Sequence, residues 1–162
     1  MSKIRRRQTP AQSAGKRIKN FSEVVLGLTK AQAMEEAGRC PQCSNAECSK
    51  ACPLGIDIPG FIRIIREGDF LKALQAIRES NSLAGICGRV CSAPCEVACI
   101  LNQEKNPQPI SIRDLERSAF DHGNLKFQEF FNADRANKSN KKVAIIGCGA
   151  AGLMAGANLL ED

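Results

Sequence analysis

Cys40-Pro41-Gln42-Cys43-Ser44-Asn45-Ala46-Glu47-Cys48-Ser49-Lys50-Ala51-Cys52-Pro53 is the stretch on which the reading of this chain turns. Four thiols fall between residues 40 and 52, and the last of them is followed by proline. A second group, Cys87, Cys91, Cys95 and Cys99, repeats every fourth residue, and a ninth cysteine stands apart at 148. Clustering of this kind has a chemical reason. Soft, electron-rich sulfur stabilises iron in both of its oxidation states and lets charge spread into an inorganic cluster.

The first group, spaced x2, x4, x3 and closed by Cys-Pro, is close to the bacterial ferredoxin run, in which the cysteine before proline reaches the other cluster of a pair. Two [4Fe–4S] clusters are therefore expected, with the second group supplying the remaining thiolates. Gly88 and Pro94 are expected to keep Cys87 to Cys99 from forming one continuous helix with all four thiols on one stripe. Zinc fits less well, because it favours pairs of Cys-x2-Cys with a histidine option, and here one such pair accompanies the single His122. Disulfides suit exported proteins and even counts, and neither applies to this chain of nine cysteines.

The chain has 162 residues, enough for one domain and part of another. It has no Trp, no Tyr and seven Phe, so stacking platforms for nucleic acid and aromatic cofactor cages have little to work with. The net charge of +6 is local. Lys3, Arg5, Arg6, Arg7, Lys16, Arg17 and Lys19 lie in the first twenty residues with no acid among them, which leaves the remainder at about −1. Residues 1–20 read as a flexible basic arm, a solvated tail or a docking segment for an acidic partner, and not as a nucleic-acid module. With no transmembrane-length apolar run and no apolar segment behind the basic residues, a cytoplasmic location is expected and no membrane association.

Residues 21–131 read as a helical domain. Thr29 and Gln32 have capping-box spacing ahead of a helix that stops at Gly38 and delivers the chain to Cys40. Pro59 suits a first helical turn, with Phe61, Ile64 and Ile65 on one face and Gly68 as the stop. A further helix capped by Asp69 carries Phe70, Leu71, Leu74 and Ile77, giving an αα-hairpin between the cysteine groups. Residues 102–109 read as a loop, followed by a helix from about Ser111 to His122 with Gly123 beyond it. His122 beside Asp121 suits a helix end, without a ligand role. Residues 132–142 read as a linker.

Val143-Ala144-Ile145-Ile146-Gly147-Cys148-Gly149-Ala150-Ala151-Gly152 is an aliphatic strand, then G-x-G-x-x-G, then a helix to about Leu160. This is the opening of a Rossmann dinucleotide fold. Gly147 permits the turn, Gly149 the approach of a pyrophosphate, and Gly152 close packing, with Ala150 and Ala151 at the helix N-terminus. Cys148 is a loop position with no metal role. The second strand and its acidic residue are absent before Asp162, so residues 143–162 are expected to be the start of an incomplete FAD- or NAD(P)-binding domain, disordered or docked as an appendage. Weak FAD binding or none is expected of the chain alone. The fold class is thus mainly α: a helical two-cluster domain followed by the first β-α of an unfinished Rossmann domain.

The run from Arg39 through Cys43 to Cys52-Pro53, then Cys87-Gly88-Arg89-Val90-Cys91 to Cys99, and Pro109-Ile110-Ser111-Ile112-Arg113-Asp114-Leu115-Glu116-Arg117, resembles the N-terminal iron–sulfur domain of the NADPH-dependent glutamate synthase small subunit. Related domains occur in dihydropyrimidine dehydrogenase and in bifurcating ferredoxin:NADP oxidoreductases. The resemblance implies that Cys40, Cys43, Cys48 and Cys99 hold one cluster, and that Cys52, Cys91 and Cys95 hold the other with Glu116 as its eighth, carboxylate ligand. Spacing alone selects Cys87 for that place, so the preference for Glu116 rests on the resemblance. The resemblance also implies electron transfer from NADPH through FAD and the clusters to a large glutamate synthase subunit, the flavin domain lying in the rest of the protein or on another chain. The alternatives are a bifurcating or sulfide-type oxidoreductase, a pyrimidine reductase, or a docking module whose clusters only staple the fold.

Overall fold

A computed structural model describes residues 5–102, 108–123 and 142–161. Nine α-helices occur among them: α1 Ala14–Arg17, α2 Lys30–Ala37, α3 Glu47–Ala51, α4 Ile58–Arg66, α5 Phe70–Arg78, α6 Ala84–Val90, α7 Pro94–Val97, α8 Ile112–Gly123 and α9 Ala150–Glu161. No sheet is formed by the described residues, apart from a single bridge between Ala11 and Val25. The expected linker falls almost wholly outside the described residues, as do residues 103–107 of the loop and the segment from 124 to the linker.

Local chemistry sets the helix starts where the sequence puts them. The Thr29 hydroxyl accepts from the Gln32 amide at 3.3 Å while Gln32 Oε1 accepts from the Thr29 amide at 3.0 Å, a complete capping box that satisfies two otherwise orphaned donors. Asp57 accepts from Gly60 N–H at 3.1 Å and Asp69 from Lys72 N–H at 2.9 Å, capping α4 and α5 in turn. Each cap is worth about 1 kcal/mol.

Helices α4 and α5 present Phe61, Ile62, Ile65, Phe70, Leu74 and Ile77 inward, against Leu115 and Ala119 of α8. Burying each large aliphatic or aromatic side chain contributes about 1.5–3 kcal/mol. The central helix is α8, against which α2, α4, α5, α6 and α7 all pack. The core is therefore a scaffold that holds both cysteine groups in place, one on each side of the α4–α5 hairpin in sequence.

Three expectations need correction. Helix α6 runs straight through Gly88, so this glycine does not break it; the interruption comes at 91–93, ahead of Pro94. Gly88 serves close approach instead, since a Cβ there would lie 2.7 Å from the backbone N and Cα of Arg117 in α8. Gly88→Ala is expected to destabilise the domain by about 1–3 kcal/mol, because backbone cannot give way as a side chain can. Urea denaturation measures it, and a variant as stable as the parent would contradict the packing.

The second correction concerns the basic arm, whose residues 5–12 lie against the helical body. Arg6 N–H donates to Gln108 at 2.9 Å and its guanidinium pairs with Glu96; Arg7 N–H donates to Glu36 at 3.0 Å and its side chain pairs with Glu35. The Thr9 hydroxyl donates to Asp114. Beyond this, Gln12 N–H bonds Val24 O at 2.8 Å and Leu26 N–H bonds Pro10 O at 2.8 Å, folding residues 10–26 into a hairpin-like excursion. Glu23 ties its far end down by pairing with Arg89 and Arg117. The Arg89 guanidinium in particular holds the Glu23 carboxyl below the usual range. Local charge alone suggests a flexible arm, whereas its arginines meet acids that lie from about thirty to ninety residues along the chain.

Residues 143–146 form no strand in the structure. They are exposed, with Ile146 fully open, because a strand needs a ladder partner and none is present among the described residues. The following α9 does form.

Candidate metal centre

Helices α3 and α7 pack against each other, and this contact brings the two cysteine groups together. Each is a short helix with a cysteine inside it and another just beyond: Cys48 and Cys52 for α3, Cys95 and Cys99 for α7. Cys40, Cys43 and Cys48 then line one cavity of about 110 Å³ together with Cys99 from the second group. Its other walls are mainly apolar, from Pro41, Ile58, Ile62, Ile110 and Ile112. Cys40, Cys48 and Cys99 lie within electrostatic reach of one another.

The remaining thiols gather separately. Cys95 feels Cys52 and Cys91, and Cys87 feels Glu116, Cys91 and Cys52. Both candidates for the eighth position therefore face the same small region. Burial pushes the Cys95 thiol up to about 12 and raises those of Cys40, Cys48 and Cys87. A cationic iron centre would reverse that preference and draw out the thiolates.

Glu116 is the more telling of the two candidates. It is buried on α8, and that burial lifts its carboxyl to about 7, against the opposing effect of its hydrogen bond from Asn81 at 2.8 Å. No cation pairs with it among the described residues, and Asn81 is its one hydrogen-bond partner there. A carboxylate so placed is costly unless something positive meets it. Cys87, by contrast, is a small half-buried thiol that needs no partner.

Backbone geometry also fits a charged sulfur site. The two non-glycine residues with positive φ among those described are Gln42 at 55° and Ala93 at 56°, each lying two residues after a cysteine. In both cases the strained residue turns its amide back to that sulfur: Ala93 N–H donates to Cys91 Sγ at 3.3 Å, and Gln42 N–H to Cys40. Left-handed backbone at such residues costs about 1–3 kcal/mol and is characteristic of functional sites. Amide donors to cluster sulfur are one of the ways a protein tunes a cluster. No periodicity in the sequence signals these two turns.

The donor set was tested against a single ion and against a cluster. Among the described residues, no three Cys, His, Asp or Glu side chains converge where one ion could sit. Zinc would hold its sulfurs at about 2.3 Å from one centre. In a four-iron cluster each ligand holds its own iron, so the sulfurs line a cavity and need not meet at one point, and Cys40, Cys43, Cys48 and Cys99 line one. The residues present fit the cluster.

The other sequence candidates fall elsewhere. His122 Nε2 lies 2.8 Å from Leu28 O and its ring meets Phe70 edge-on, away from the cysteines. Cys148 is exposed in the Gly147–Gly149 turn. Gly147 has φ +104°, and a Cβ on Gly152 would lie 2.2 Å from Gly147 O, so the helix start packs tightly on the turn. A Cβ on Gly149 meets open space, leaving the turn and the first residues of α9, Ala150 and Ala151, approachable. This is the local shape a pyrophosphate needs, without the sheet that would complete the site. No helix among the described residues is long and apolar enough to cross a membrane.

Known proteins share this arrangement. The family model described as dihydropyrimidine dehydrogenase domain II, 4Fe-4S cluster, matches residues 17–127. The NAD-dependent dihydropyrimidine dehydrogenase subunit PreT of Salmonella typhimurium is 38% identical over 141 residues, covering 86% of this chain and 33% of the relative. PreT of Escherichia coli is 37% identical over 144 residues, 88% of this chain and 34% of the relative. The glutamate synthase [NADPH] small chain of Escherichia coli is 34% identical over 137 residues, 82% of this chain and 28% of the relative. The chain thus spans no more than about a third of the length of these relatives. With two packed cysteine groups, a fitting cavity and a family model that takes in both of them, the chain belongs to the 4Fe-4S family of dihydropyrimidine dehydrogenase domain II, a family of iron–sulfur electron-transfer domains of oxidoreductases.

Proposed function

We propose that this chain carries electrons one at a time between a nicotinamide–flavin module and a partner subunit, through two [4Fe–4S] clusters. Cys40, Cys43, Cys48 and Cys99 hold the first; Cys52, Cys91, Cys95 and Glu116 hold the second. When bound, such clusters accept and release single electrons, which divides the two-electron delivery of a hydride donor into steps. The observation that carries the reading is the cavity in which Cys99 joins three thiols of the other group.

The chain's own residues fix where and how this happens. Packing of α3 on α7 sets the two groups side by side, so a cluster held there would draw ligands from both. The apolar wall of Ile58, Ile62, Ile110 and Ile112 excludes water from the first site, and amides of Gln42 and Ala93 offset charge on Cys40 and Cys91. FAD and NADPH belong to the completed nucleotide-binding domain that the Gly147–Gly152 turn opens.

In the complete assembly the acceptor is the large subunit of a glutamate synthase, in keeping with the small-chain relative. A second reading, a subunit of an NAD-dependent dihydropyrimidine dehydrogenase, is favoured by the somewhat higher identity to PreT. Anaerobic reduction with dithionite followed by low-temperature EPR tests the conduit. Reduced-cluster signals at accessible potentials are expected, and silence at every potential would leave only a stapling role.

A further inference from the structure

We propose that Asn81 selects the eighth ligand, presenting Glu116 to the second cluster and holding Cys87 away from it. The inference rests on the reading of Glu116 as that ligand. Asn81 follows the end of α5, is almost completely buried, and sits between the two competitors. Its side chain makes three hydrogen bonds. Nδ2 donates to Glu116 Oε1 at 2.8 Å, Oδ1 accepts from Leu83 N–H at 3.0 Å, and the same Oδ1 lies 3.8 Å from Cys87 Sγ.

The orientation of this amide follows from its partners. A backbone N–H only donates, so the Asn81 atom facing Leu83 is the oxygen. The nitrogen then faces Glu116, where Oε1 accepts it, and Oε2 takes no hydrogen bond among the described residues. With its oxygen facing Cys87, Asn81 offers that sulfur only an acceptor, so Cys87 takes part as an S–H donor. This contact favours the protonated thiol, which has to give up its hydrogen before it can bind iron. One amide, locked by Leu83, thus favours the carboxylate and disfavours the thiol.

The test uses the full chain reconstituted anaerobically with iron and sulfide. Asn81→Leu removes both contacts at similar volume; Asn81→Ala removes them with less bulk and serves if the leucine variant does not fold. Each is made alone and with Cys87→Ala. The readouts are iron per chain, EPR of the reduced protein, and iodoacetamide labelling of the native, cluster-loaded protein mapped by mass spectrometry.

In the parent, Cys87, a protonated and half-buried thiol, is expected to label slowly over a long incubation while the ligand cysteines stay protected, and Cys87→Ala is expected to keep about eight irons. In either Asn81 variant Cys87 takes the eighth position: its labelling falls about tenfold, the EPR line shape changes, and iron stays near eight. Adding Cys87→Ala to an Asn81 variant then drops iron to about four. An Asn81 variant with parental EPR and a fully labelled Cys87, or a double variant that keeps all its iron, overturns the role of Asn81. Protection of Cys87 in the parent, with Cys87→Ala losing a cluster while Glu116→Ala keeps both, overturns the Glu116 reading itself and is distinguishable from the first failure.

Discussion

Cys99→Ala is expected to lose about four of about eight iron atoms per chain while keeping the cluster held by Cys52, Cys91 and Cys95. In sequence Cys99 is the last member of the second group, and a simple one-group, one-cluster arrangement would have it share a cluster with Cys91 and Cys95. The structure puts its buried side chain in the cavity of Cys40, Cys43 and Cys48 instead. Three thiolates without the fourth hold a four-iron cluster poorly, and Ala offers no replacement donor. The effect is specific to that cavity, so EPR of the variant should retain one cluster's signal unchanged. Cys148→Ala, at an exposed cysteine in the glycine turn, should keep all of its iron and serves as the control. Loss of both clusters with the helical fold intact, or loss of neither, would contradict the assignment of Cys99.

The second large effect is expected at Glu36. Its side chain is fully buried on α2 and joins three separate parts of the chain: it accepts from Arg7 N–H at 3.0 Å and from Ser111 N–H at 3.0 Å, and pairs with the Arg39 guanidinium. Arg39 in turn donates to the carbonyl of Gln108. One carboxylate therefore pins the N-terminal segment, the residue before Cys40 and the start of α8. Glu36→Ala leaves two buried amide donors and a buried guanidinium short of an acceptor, and removal of one partner of a buried pair costs about 3–5 kcal/mol. Glu36→Gln, which keeps an acceptor oxygen, should cost less. Urea denaturation of the cluster-loaded chain measures both, and trypsin reports release of the segment by cutting at Arg6 and Arg7 earlier in the Ala variant. A loss below about 1 kcal/mol for Glu36→Ala would mean that the arm is not held by this carboxylate.

How much of this was visible in the sequence depends on the range of the interactions. Thr29 with Gln32, Asp57 with Pro59, and Asp69 all act within one helical turn, so the starts of α2, α4 and α5 are legible from neighbouring residues. The apolar spacing marks Phe61 and Ile65 of α4 and Phe70, Leu74 and Ile77 of α5 as buried, whereas Ile62 is buried where Ile64 is expected, and Ile64 and Leu71 are half-buried. Glu36 looks like an ordinary surface glutamate among helix formers, because Arg7 and Ser111, which give it its place, are remote in the chain. Gly88 has the same character: it sits among cysteines and invites a helix-breaking reading, whereas the reason for it is the backbone of Arg117 across a helix contact.

The site shows the same division. The cysteines announce themselves by type and spacing, while the choice between Cys87 and Glu116 depends on a side chain, Asn81, that resembles any polar residue after a helix. Gln42 and Ala93 carry no composition signal for left-handed backbone, a conformation usually left to glycine. Their amide-to-sulfur bonds emerge only once the chain has folded around the cysteines.

The central claim is that thiols from two separate stretches are shared between two inorganic centres. Mössbauer spectroscopy of the chain reconstituted with enriched iron, combined with iron and acid-labile sulfide analysis, tests it most directly. About eight irons and eight sulfides per chain, all in [4Fe–4S] environments and with one iron site distinguished by an oxygen ligand, are expected. A colourless protein, one that holds zinc in preference to iron, or one that saturates at about four irons would contradict it.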